Sequence, residues 1–108
     1  MRLLEECKQY RGMKVEAALL HQQLQELERS PANDPSQREQ LQGRIRELLQ
    51  HCANVDTAIA NAPNAMLRVA MIMHYQQGMK WQDVASAFEG DMLEGAIRKR
   101  VSYYLNGC

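Results

Sequence analysis

Apolar residues recur at intervals of three and four through two long stretches of the chain. Leu3, Tyr10, Met13, Ala17, Leu20, Leu24 and Leu27 make the first series, which only Glu6 interrupts. Leu41, Ile45, Leu48, Cys52, Val55 and Ile59 continue it without a gap. This spacing returns a side chain to one helix face at every turn and describes a seam along which helices pack knobs into holes. Between the two series lies Ser30-Pro31-Ala32-Asn33-Asp34-Pro35, which reads as a loop because proline disfavours helix at the residue before it. Asp34 fits the N-cap of the second helix with Pro35 in its first turn, and Ser36-x-x-Glu39 offers a competing capping box. Two helices of about 25 residues match in length at nearly 40 Å, and the short loop between them predicts an antiparallel hairpin.

A second break, Asn61-Ala62-Pro63-Asn64, ends the hairpin, and the pattern then shortens. Leu67, Ala70, Met71 and His74 share one face of a helix that should stop near Gly78, a natural C′ residue. A short helix from about Trp81 to Phe88 should turn Val84, Ala85 and Phe88 inward. After the polar turn Glu89-Gly90-Asp91, a last helix carries Ile97, Val101, Tyr104 and Leu105 on its inner face. Three compact helices with a short penultimate one describe a helix-turn-helix. The chain is therefore expected to be all-α: a long antiparallel helical hairpin over residues 1–62, followed by a three-helix helix-turn-helix module over residues 63–108. Composition agrees, since Leu, Ala, Met, Gln, Glu, Lys and Arg dominate and β-branched residues are scarce.

A two-helix hairpin hides one stripe only and leaves Leu4, Val15, Leu19 and Leu49 toward water. Either they pack on the C-terminal part of the same chain, or a second hairpin completes a four-helix bundle. The second alternative predicts a homodimer joined along Leu20, Leu24, Leu27, Leu41, Ile45 and Leu48.

The residues following Pro63 carry a resemblance. Leu67-Arg68-Val69, the run His74-Tyr75-Gln76-Gln77-Gly78-Met79-Lys80-Trp81-Gln82-Asp83-Val84-Ala85, and Glu94-Gly95-Ala96-Ile97-Arg98-Lys99-Arg100-Val101 resemble the region-four helix-turn-helix of bacterial sigma factors. The text is most similar to small sigma-like regulators of phages and prophages of Firmicutes, which also set a helical, coiled-coil-like segment in front. Two features depart from that pattern. Lys80 and Leu93 stand where such modules commonly carry a capping Ser, and the turn before the last helix is about two residues longer. The resemblance implies promoter DNA as a target and RNA polymerase as a possible companion.

Chemistry narrows the functional classes further. With the inner face of the last helix fixed, Lys99, Ser102, Tyr103 and Asn106 point outward and Arg98 and Arg100 flank them. Such side chains neutralise phosphates and reach base edges, so Arg98, Lys99, Arg100, Ser102 and Tyr103 are the candidate contacts to double-stranded DNA, with Lys80 and Gln82 reaching phosphate. Lys plus Arg and Asp plus Glu both number 13 in 108 residues, so bulk charge does not drive binding. The C-terminal part holds Arg68, Lys80, Arg98, Lys99 and Arg100 against Asp83, Glu89, Asp91 and Glu94. That thin surplus predicts weak, salt-sensitive binding by one module, strengthened by dimerisation. It also keeps a second class open, a protein-binding inhibitor or adaptor of host machinery.

No catalytic set, P-loop or paired-carboxylate cleft is present, so no enzyme and no cofactor is expected. Cys7, Cys52 and Cys108 are far apart and His21, His51 and His74 share no ligand spacing, so no metal site is expected and the thiols read as reduced. Cys108 should be an exposed thiol. Trp81 and the methionines read as packing residues. With no signal peptide and no long apolar run, the expected location is the cytoplasm and no membrane partner is expected.

Overall fold

The computed structural model describes residues 1–108 except Asn33, Glu89, Asp91 and Cys108. The chain is all-helical. Helix α1 spans Leu3–Arg29 and α2 spans Pro35–Ala60, and they pack on each other as the antiparallel hairpin. Asp34 caps α2 by accepting the backbone N–H of Ser36 at 3.0 Å, with Pro35 in the first turn; the competing cap is not used. Helices α3 (Ala65–Met71), α4 (Trp81–Ala87) and α5 (Glu94–Asn106) follow. Asn64 opens α3 by accepting Leu67 N–H at 2.9 Å, and Gly107 ends α5 in the left-handed region.

One difference from the periodic pattern has a local cause. Beyond Met71 the helix widens into a π turn over Ile72–Gln76, in which Gln77 N–H bonds Ile72 O. A π turn inserts one residue without advancing the face, so the inward position passes from His74 to Tyr75. Tyr75 is buried and His74 is half-buried beside it. Gly78 then adopts φ 76°, and Met79 N–H closes the end on Met73 O at 2.9 Å.

The hydrophobic core is one cluster that crosses the boundary between hairpin and C-terminal helices. Cys7, Tyr10 and Met13 of α1 and Leu48, Cys52, Val55 and Ile59 of α2 join Leu67, Met71, Tyr75, Val84, Ile97 and Val101. Leu3 and Leu4 pack partly against it, whereas Val15, Leu19 and Leu49 are exposed. The loop half of the hairpin projects beyond this core, giving extents of 59 × 25 × 17 Å and a radius of gyration of 17.6 Å, against about 13 Å for a compact chain of this size. In that half Leu24 is buried by the hairpin itself, while Leu20, Leu27, Leu41 and Ile45 are half-buried along the same seam; Leu48, nearer the base, belongs to the shared core. On a helical wheel Val15 and Leu19 lie on the far side of α1 from the seam and Leu49 lies on its flank in α2, so the exposed residues do not form one stripe.

Polar contacts set how the C-terminal helices sit on the hairpin. Tyr10 Oη donates to Asp56 Oδ1 at 2.9 Å, and Gln76 Nε2 donates to the same oxygen at 2.8 Å. Tyr104 Oη donates to Ala58 O at 2.7 Å, and Arg68 Nη1 to Ala62 O at 2.8 Å. Glu6, the break in the first stripe, is buried in the seam, where His51 Nδ1 (2.8 Å) and Asn54 Nδ2 (2.7 Å) donate to it. Among the described residues no helix is long and apolar enough to cross a membrane.

Candidate nucleic-acid interface

Helix α5 is fixed by its apolar face and free on the other. Ile97, Val101 and Leu105 are buried, and the half-buried Tyr104 ties the helix to α2. The opposite face presents Lys99 and Tyr103, with Arg100 to one side, all exposed. Lys99 and Arg100 make no ion pair with a described residue. Arg98 leans back along the helix toward Glu94, 3.8 Å away, yet stays 60% exposed. Ser102 is half-buried, and the amide of Asn106 reaches its hydroxyl at 3.5 Å. The structure thus brings Lys99, Arg100 and Tyr103 together as an open surface and leaves Ser102 partly withdrawn.

Helix α4 packs against α5 and against the π turn. Lys80 and Gln82 are both exposed at its head, and the Lys80 carbonyl accepts from Asp83 and Val84 N–H. Neither Lys80 nor Leu93 makes a side-chain cap; Leu93 is 79% exposed. Trp81 anchors α4 by stacking on His74, ring centroids 3.9 Å apart, with Tyr75 edge-on. His74 Nδ1–H donates to Met79 O at 2.7 Å. Burial holds the His74 imidazole below its ordinary pKa; the bond to Met79 opposes this and the nearby Arg98 charge adds to it. The Trp81–His74–Tyr75 stack therefore fixes α4 relative to α3, which is packing work.

Beside the exposed face of α5 runs a largely apolar groove of about 770 Å³, bounded by Pro63, Leu67, Tyr103 and Tyr104, with Lys99 and Arg100 at its edge. Sequence periodicity did not reveal it, because it forms where the α2–α3 loop meets the end of α5.

The remaining candidate chemistry is structural. Cys7 and Cys52 are buried free thiols, and burial, aided by Glu6, pushes Cys7 up to about 12. His51 is occupied by Glu6 and His74 by Met79, while His21 is exposed. Among the described residues no group of His, Cys, Asp and Glu is arranged to hold a metal. Cys108 lies outside the described residues. Met13 and Met71 are buried, and Met66, Met73, Met79 and Met92 pack partly against the core. Comparison with protein families, curated proteins and solved structures finds no match to this chain.

Proposed function

We propose that this chain is a non-enzymatic transcription regulator that binds double-stranded DNA through its C-terminal helices. The observation behind this reading is the two-sided character of α5: one face packed to closure, the other offering Lys99, Arg100 and Tyr103 with no hydrogen bond or ion pair to a described residue. In a helix-turn-helix the second helix enters the major groove while the first crosses the backbone. α5 then reads base edges, and Lys80 and Gln82 at the head of α4 meet phosphate. The protein acts in the cytoplasm. The projecting hairpin arm pairs two copies, so that two modules share one operator, and the resemblance to sigma region four makes RNA polymerase a companion.

The test is fluorescence anisotropy with duplex DNA across a salt series. The parent should bind with a steep salt dependence, and Arg98→Ala/Lys99→Ala/Arg100→Ala should lose binding while keeping its helical circular dichroism. Unchanged binding by that variant would sink the assignment.

One observation favours a second reading, a protein-binding inhibitor or adaptor. The groove beside Lys99 and Arg100 is more apolar than a phosphate-contacting surface needs to be. On this reading a specific host protein is retained from nuclease-treated lysate by the parent and released by Tyr103→Ala. Retention by both would remove the groove from consideration.

A further inference from the structure

The first helix carries three cations at three-residue spacing, Lys8, Arg11 and Lys14, with no acidic residue between Cys7 and Val15. The fold sets this basic edge against the turn that opens α4. Lys8 and Arg11 border a cleft of about 280 Å³ together with Cys7, His74, Tyr75 and Gly78. Lys14 borders the adjoining depression with Tyr10, Arg11 and Gln76.

Arg11 is exposed and reaches across this turn. Its guanidinium lies over Gly78, in the space that the Cβ of any other residue at that position would need. Yet Arg11 and Lys8 have no hydrogen bond or ion pair with any described residue. The groups gathered around them do not supply the missing negative charge. His74 donates its Nδ1–H to Met79 O, and Arg98 lies close enough to act electrostatically on both His74 and Tyr75. Glu6 faces the seam and is held by His51 and Asn54. Glu16, which borders the next depression along α1 with Lys8, is taken up by Arg44 at 3.0 Å. Among the described residues no carboxylate pairs with Lys8 or Arg11, and the two cations describe an anion site whose anion comes from outside the chain.

Position identifies the anion. Gly78 lies two residues before Lys80, where α4 begins, and the head of that helix is where the duplex backbone passes a helix-turn-helix. We infer that Lys8 and Arg11 of the hairpin form a second phosphate-contact site, extending the DNA-binding surface from α4 onto α1. This rests on the DNA-binding reading and deepens it. It also supplies the charge that the C-terminal part lacks, because the hairpin lends its base to the interface.

The experiment uses the full chain and a fluorescein-labelled duplex of mixed sequence, about two helical turns long, titrated across a salt series. Lys8→Gln/Arg11→Gln should reduce the slope of log K against log salt by about two and weaken binding about ten- to fifty-fold at about 0.1 M salt. Lys8→Arg/Arg11→Lys should keep the parent slope, which separates a charge effect from a packing effect. Circular dichroism of each variant checks that the helices are intact. If the Gln pair binds with the parent's slope while the Arg98/Lys99/Arg100 alanine variant does not bind, α5 touches DNA and the cleft does not. If the conservative pair loses as much as the Gln pair, the residues act through packing and the phosphate site is refuted. Absence of binding by the parent at low salt overturns the DNA reading and this site with it.

Discussion

Near the base of the hairpin, Leu48, Cys52 and Val55 are 1%, 1% and 0% exposed, whereas toward the loop the same stripe closes over Leu24 but leaves Leu27, Leu41 and Ile45 half-buried. The spacing is the same at both ends; the number of neighbours is not. At the base the C-terminal helices add a further layer over the seam, and in the arm each helix has only its partner. Burial, and the stability that follows from it, is therefore set by what the rest of the chain stacks on a repeat. The base is a packed block from which α5 presents Lys99 and Arg100, and the arm projects beyond it.

Paired truncations should separate the two regions most sharply. Leu48→Ala leaves a cavity among packed neighbours and is expected to cost about 2–5 kcal/mol, while Leu41→Ala, whose surroundings are half solvent, should cost about half as much or less. Urea unfolding of dilute, unpaired chains measures both, and equal losses there would contradict the contrast; at higher protein concentration the Leu41→Ala loss should grow, as pairing of two arms predicts.

Alkaline titration comes next. Burial raises Tyr75 to about 12, and burial with the Asp56 bond raises Tyr10 to about 12, from 10.0 in each case. The unfolded chain therefore ionises first, so this contribution to stability is intact below pH 10 and declines as pH climbs toward 12. All four tyrosines lie outside residues 15–60, so phenolate absorbance reports the base alone. Two of the four phenols should stay protonated until about pH 12. Early ionisation of all four below that point would contradict the packed base.

The smallest contrast is between glycines. Gly78 has φ 76° and Arg11 over it, so Gly78→Ala should destabilise by about 1–2 kcal/mol. Gly43 lies within α2 in the arm, where an added Cβ comes no closer than 4.0 Å to the Arg46 guanidinium. Gly43→Ala should stabilise by about 0.5–1 kcal/mol. Thermal melts that moved the same way for both would deny the difference between junction and arm.

The helices were legible in the sequence because a seam leaves a period: the stripes in α1 and α2, the Asp34-Pro35 start and the inner face of α5 all stand where spacing puts them. The exchange of His74 for Tyr75 was not, since a π turn is one extra residue that no local propensity announces. Glu6 showed only as an interruption, because its partners His51 and Asn54 lie more than forty residues away. Lys99, Arg100 and Tyr103 were readable once the inner face of α5 was known. Lys8 and Arg11 looked like any solvated face of a long helix; the run Lys8, Arg11, Lys14 without an acid was the available signal. It gains meaning only from tertiary proximity to Gly78.

The Glu6 contact also answers a geometric ambiguity that the stripe creates. A repeating row of apolar residues has no intrinsic zero: one helix could slide along the other by a heptad, about 10 Å, and still match side chain for side chain. Sliding would strand the Glu6 carboxylate opposite hydrocarbon, away from His51 and Asn54. One acid thus works as an index mark on a ruler. It fixes how far the loop end of the hairpin stands from Lys99 and Arg100, so that anything gripped at the tip is held at a set reach from α5.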